Sequence, residues 1–197
     1  ATHRTGDRAP WLRAPAAAAW TEFHNLPHAA VKDQSWRFSN VMALDLAPYH
    51  LASVAPSDTE ARELLDRSTE LSETDGRLVF ADDHLLERDV LSEKLRAAGV
   101  IFQPLERAMI EHEELFRRHF MNQPANLGSA KFAALHQALV RSGTFLYVPR
   151  GVEIELPLEP YHWLHAEHAA IFPPQLLVAA ANSKVPLVAH LRSAERR

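Results

Sequence analysis

The chain has 197 residues, 21 Lys plus Arg against 25 Asp plus Glu for a formal charge of −4, 47% apolar residues and no cysteine. That balance suits one or two globular domains and is too rich in core-forming side chains for a disordered chain. With a pI near 6.3 and no basic tract it argues against nucleic acid held by phosphate neutralisation. Without thiols these residues supply no disulfide framework, thiolate metal site or cysteine nucleophile, so a metal would have to use histidine and carboxylates.

Taken in chain order, Arg4, Arg8 and Arg13 precede an alanine run at 16–19 in the manner of a secretory leader. The run is shorter than a leader's apolar core and passes straight into Trp20, Thr21 and Glu22, so a cytoplasmic location is expected. Ser57-Asp58-Thr59-Glu60 is a capping box and predicts a helix through about Arg67. Leu78-Val79-Phe80 and Val100-Ile101-Phe102 read as short buried strands, each behind a glycine, and a helix over 89–98, closed by Gly99, lies between them. Pro104 opens a helix in which Leu105, Met109, His112, Phe116 and Phe120 recur at four, three, four and four residues, one apolar face. A further helix is predicted over 129–142, with Phe132, Leu135 and Leu139 on one stripe and Gly143 as its stop.

After residue 141 the periodicity becomes that of strands. Phe145-Leu146-Tyr147-Val148 is β-rich, Pro149-Arg150-Gly151 is a turn, and Val152, Ile154, Leu156 and Leu158 alternate with Glu153, Glu155 and Pro157. Residues 176–178, the turn Asn182-Ser183, and Val185, Leu187, Val188, His190 and Leu191 continue the run. The longest apolar stretch, 169–181, is broken by Pro173, Pro174 and Gln175 and is too short to span a bilayer, so no membrane partner is expected. The expected fold class is α+β, with a mainly helical region at 1–141 followed by strands at 142–197. Short strands without interleaved helices bury their apolar faces only by stacking on further strands, about three repeats are needed, and here there are barely two. The expectation is therefore the front part of a longer solenoid-like protein, or two copies paired through the open end.

The segment Lys131-Phe132-Ala133-Ala134-Leu135 leading to Ser142-Gly143-Thr144-Phe145-Leu146-Tyr147-Val148-Pro149-Arg150-Gly151-Val152-Glu153-Ile154-Glu155-Leu156-Pro157-Leu158 resembles the signature of the SufB/SufD family of iron–sulfur cluster assembly proteins. Upstream, Leu26-Pro27, Asp33, Trp36-Arg37-Phe38-Ser39-Asn40 and Leu44 are similar to the N-terminal segment of its SufD members, and Gly99-Val100-Ile101-Phe102 before an Ala108-containing helix fits as well. The resemblance runs from about Leu26 to Leu191. It implies a helical N-terminal domain followed by the first coils of a right-handed parallel β-helix, in a scaffold subunit that works with SufB-like and SufC-like partners and is not itself an enzyme. The family's C-terminal region has no counterpart in these residues, so none of its site residues are carried over, and no catalytic, cofactor or metal residue is assigned.

The most tempting constellation is His162, His165 and His168 with Glu167, since imidazoles and a carboxylate can hold zinc or ferrous iron without thiolate. Three-residue steps do not register the rings on a helix, and on a strand His162 and His168 share one face while His165 takes the other, so a polar stretch with surface histidines is expected. Trp36 with Arg37 is a candidate recognition patch, though such a Trp more often anchors a loop to the core. His112, His119 and His136 are expected beside apolar helix stripes, and Glu111, Glu113 and Glu114 on a solvated face. Glu153 and Glu155 are expected to project outward from the signature strand. A competing reading is a stand-alone β-helix protein with a histidine metal site or a carbohydrate-active role, for which Glu153 and Glu155 are the nearest carboxylate pair.

Overall fold

The computed structural model describes residues 9–30, 32, 36–51, 54–88, 91–122 and 130–194. Arg4, Arg8 and Asp33, and the expected helix starts at Asp89 and Ser129, lie outside the described residues. Helix α1 (Pro10–Asn25) begins on a proline, whose missing N–H is one the first turn leaves unbonded in any case. Leu12, Ala16 and Ala19, at four- and three-residue steps, form its buried face against α6 (Ala130–Leu139), which offers Ala134, Leu135 and Ala138. Of the alanine run with the look of a leader, Ala16 and Ala19 belong to this packing face, where small side chains let two helices approach closely, while Ala17 and Ala18 are exposed. Lys131 is buried in α6 and donates its ammonium to the carbonyls of Phe23 (2.6 Å) and Leu26 (2.8 Å), so a cation meets the negative end of α1.

Helix α2 (Asp58–Asp66) starts at the expected capping box: Glu60 N–H donates to Ser57 Oγ at 3.4 Å, and Ser57 N–H to Glu60 Oε2 at 2.9 Å. Helix α3 (Glu93–Ala97) is capped by Ser92 and closed by Gly99, whose φ of 83° lets Val100 N–H reach Leu95 O and Gly99 N–H reach Arg96 O. The single helix expected beyond Pro104 is instead two, α4 (Leu105–Glu111) and α5 (Glu113–His119), broken at His112 with φ −132° and ψ 39°. The bend keeps Leu105, Ala108, Met109 and Phe116 on one core with Phe145. Gly143 does not stop α6, which ends at Leu139. A Cβ on Gly143 would stand 2.4 Å from the Pro174 carbonyl oxygen, so glycine is needed for the approach of another backbone.

The larger sheet has the order β3-β2-β6-β9, from β2 (Gly76–Ala81), β3 (His84–Arg88), β6 (Leu158–Leu164) and β9 (His190–Ser193); β3 is antiparallel to β2, and β2, β6 and β9 run parallel. The second sheet places β5 (Thr144–Val148) between antiparallel β4 (Ile101–Pro104) and parallel β8 (Gln175–Ala179). A two-residue pair, β1 (His50–Leu51) and β7 (Ala169–Ala170), is also parallel. Both larger sheets therefore cross the expected division at 141.

The chain makes two stacked passes, 144–164 and 175–193. Residues pair 31 positions apart from Thr144 with Gln175 to Glu153 with Lys184, then 29 apart from Leu158 with Leu187 to Leu164 with Ser193. The alternating strand expected over 152–158 is present only in part: Glu153 makes a lone bridge and the regular ladder begins at Leu158. Between them the chain turns a corner, where Asp75 Oδ2 accepts the Leu156 N–H at 3.0 Å. Leu78, Phe80, Phe102, Leu146, Val148, Ile154 and Leu158 form the core shared by the two sheets. Phe145 points the other way, onto α4 and α5, and Val79, Tyr161 and Trp163 pack under α2 through Leu64. Among the described residues, no helix is long and apolar enough to cross a membrane.

Candidate functional site

Strand β6 carries most of the polar chemistry, though not in the expected arrangement. His162 is not on a polar surface: it lies within the strand, is fully buried, and stacks flat on Phe80 with centroids 4.8 Å apart. Neither ring nitrogen has a hydrogen-bond partner, and burial pushes the imidazole down to about 4, so it is neutral at physiological pH. His165 follows the strand, its Nε2 3.2 Å from Glu60 Oε1 and its backbone N–H donated to Asp82 Oδ1 at 2.9 Å. His168 sits in a left-handed turn (φ 55°), edge-on to Tyr49 and 3.7 Å from Glu167. The pleat and the turn thus send the three rings to separate places, and among the described residues no group of three His, Asp or Glu could hold a metal ion.

A second cluster escaped the sequence reading. Glu159 is fully buried and accepts from Arg77 Nε (3.1 Å) and Nη2 (2.7 Å) on one oxygen. Its other oxygen accepts from the Tyr161 hydroxyl and faces His190 Nε2, both at 3.2 Å. Burial, with Glu159 and Glu70 nearby, pushes the Tyr161 phenol up, so it stays a donor. His190 lies on the Tyr161 ring at 4.0 Å, and Arg192 pairs with Glu70. A carboxylate so fully engaged is a fastening between strands and not a poised base. The signal lay in the sequence: an acid inside the apolar strand Leu158-Glu159-Pro160-Tyr161 requires a buried partner.

The remaining candidates lie apart from one another, in packing contacts and ion pairs. Trp36 packs against Phe132 at 5.5 Å, whereas Arg37 covers Phe38, which is 95% exposed. His136 is pushed down by burial, and burial pushes the Asp83 and Glu106 carboxyls up. His112 faces Phe145 at 6.4 Å, and His119 closes α5. Glu111, Glu113 and Glu114 pair with Arg107, Arg117 and Arg118 along α4 and α5. Glu153 pairs with Lys184 and Glu155 with Lys94, exposed contacts that draw the two carboxylates to different lysines.

The other conspicuous surface is the open side of the second pass. Among the described residues, β8 and β9 are edge strands. Leu177 is in register with buried Leu146 and Leu191 with buried His162, yet they are 42% and 67% exposed. Unpaired backbone groups beside apolar side chains can take on a further strand.

The family profile described as the SufBD protein N-terminal region matches residues 7–159. Among individual relatives, the "Iron-sulfur cluster assembly protein SufD" of Bacillus subtilis is 30% identical over 181 residues, covering 90% of this chain and 40% of that protein. "Iron-sulfur cluster assembly protein SufB" of the same organism is 34% identical over 98 residues, 50% of this chain and 21% of that protein. An "Iron-sulfur cluster assembly SufBD family protein" of Staphylococcus epidermidis is 35% identical over 99 residues, again 50% and 21%. The chain spans about two fifths of the length of the SufD relative and one fifth of the other two. With the family profile matched across more than half of its residues, and SufD matched over nine tenths of them, the chain belongs to the SufB/SufD family.

Proposed function

We propose that the chain serves iron–sulfur cluster assembly as a SufD-like scaffold subunit, acting through protein–protein contacts in a cytoplasmic complex with SufB-like and SufC-like proteins and not as an enzyme. The observation that carries this is the match to SufD over 90% of the chain, against 50% for SufB. Two features support it. These 197 residues hold no cysteine, so thiolate ligands for a cluster would come from elsewhere, and the polar groups of β6 are used to fasten strands together. The two stacked passes are in turn proposed as opening coils of a right-handed parallel β-helix with the helices of 1–141 packed on its outside; the regular pairing offsets of 31 and 29 residues support that architecture. The exposed Leu177 and Leu191 would then be covered by a further coil or by a second copy.

The test is copurification of the tagged protein, in the longest form its reading frame encodes, with SufB-like and SufC-like proteins from its own cells. Retention of both is expected. Retention of neither overturns the proposal.

A further inference from the structure

The lead-in to β5 meets two other segments at a junction crowded with carboxyl groups. Asp83, in the turn between β2 and β3, accepts the Ser142 hydroxyl on Oδ1 at 2.8 Å. Its Oδ2 is buried without a hydrogen-bond partner: Arg141 Nε stands off at 3.7 Å, and the side chain is only 5% exposed. Glu106, in the first turn of α4, likewise buries Oε2 without a partner. Its helix is pinned to the same lead-in by the Leu105 N–H, which donates to the Gly143 carbonyl at 2.9 Å. Asp82 is fully buried, with its carboxylate turned to the backbone N–H groups of His165 and Ala166. Among the described residues, Glu106, Arg141, Asp82 and His84 are thus the charged or titratable groups that face Asp83 from the elements packed on it.

An ionised carboxyl with one oxygen sealed from water and unpaired is costly, and a second carboxyl nearby adds repulsion. Both costs vanish when the acid carries a hydrogen. Burial accordingly pushes both carboxyls up; the Ser142 hydroxyl and the Arg141 charge oppose this at Asp83, and Asp83 adds to it at Glu106. The fastening at Glu159 occupies both oxygens, whereas this junction leaves one oxygen unpaired on each acid. Buried acids held in that way give up stability for another property.

We propose that Asp83 and Glu106 form a proton-operated joint, which closes the β2–β3 turn and the head of α4 onto the lead-in to β5 when Asp83 carries a hydrogen and loosens them when that hydrogen is lost. The pH thereby sets how firmly α4 is seated on the first pass. Carboxyl carbon-13 shifts of the whole chain, followed from about pH 3 to about pH 9, test this. Asp83 is expected to titrate above the ordinary carboxylate range, and Glu106→Gln to bring that titration down by removing the neighbouring charge. Asp83→Asn keeps an acceptor for Ser142 and places an uncharged group where Oδ2 stood. A folded acid that holds its hydrogen more tightly than the unfolded one loses stability as pH rises out of the carboxylate range, and the Asn variant escapes that loss. The ratio of the variant's folding equilibrium constant to the natural chain's is therefore expected to rise roughly fivefold or more from about pH 4 to about pH 8, the least that an unpaired buried polar group costs. The amide hydrogens of Asp82 and Leu105, both bonded to backbone carbonyls, are expected to lose corrected exchange protection over that range in the natural chain and to keep it in the variant. An Asp83 titration in the ordinary range, one unmoved by Glu106→Gln, a stability ratio flat with pH, or level protection of both amides overturns the joint.

Discussion

The first and second passes of the chain are paired residue for residue and differ sharply in burial. In β5 and β6 nearly every side chain is buried, on the faces that the pleat sends outward as well as inward; in β8 burial alternates, and in β9 only His190 is buried. The residue types are similar, so composition does not explain it. The first pass has neighbours on both sides, β2 or β4 below and β9 or β8 above, and helices over its outer faces, while among the described residues the second has a neighbour on one side only. Burial in a stack is a property of position in the stack, and a leucine contributes according to what lies above and below it.

The largest test of that difference is a pair of truncations. Leu146→Ala opens a cavity in the shared core and is expected to cost about 3 kcal/mol. Leu177→Ala, its partner in register, is expected to cost less than about 1 kcal/mol because it is already in contact with water. Denaturant midpoints measure both, and equal losses would break the comparison.

Acid titration sharpens it next. His162, held down to about 4 by burial, binds its proton more readily in the unfolded chain, so the unfolded state takes up more protons as pH falls below about 6.5. The stability that neutral His162 permits is present above that pH and is lost progressively toward pH 4, by about 3 kcal/mol in all. His136, also pushed down, adds in the same direction. His162→Leu is expected to flatten the slope between pH 6.5 and 4 in chemical denaturation; an unchanged slope would place the ring outside the dry core.

Smaller effects belong to the periphery. Ser57→Ala removes one half of the capping box on α2 and is expected to lower stability by about 1 kcal/mol by thermal melting. Lys184→Ala breaks an exposed pair with Glu153 on the open pass and is expected to change stability by less than about 0.5 kcal/mol, with the midpoint unmoved by salt.

What the sequence disclosed was local. The capping box at Ser57, the left-handed closure at Gly99 and the β-rich Phe145-Leu146-Tyr147-Val148 each state their structure within a few residues, and each is found in place. The signature carried the family for the same reason, since its long part, Ser142 to Leu158, is contiguous in the chain. The cluster around Glu159 is built from partners 82 and 31 positions away, Arg77 and His190, which no periodicity can join. His162 departs from the expected polar surface because its histidine-rich stretch is polar by composition while its ring is dry, stacked on Phe80. The break at His112 and the early end of α6 are likewise not local signals: the first keeps Met109 and Phe116 on one core with Phe145, and beyond the second the Ser142 hydroxyl donates to Asp83 at 2.8 Å.

The change in pairing offset at the corner has a practical side. From Glu153 to Leu158 the first pass uses two residues more than the second spends from Lys184 to Leu187, yet the ladders on either flank remain aligned. That elbow already tolerates unequal lengths. It is therefore the natural place to splice in a peptide tag or a spectroscopic probe, with the flat walls of the stack left as they are.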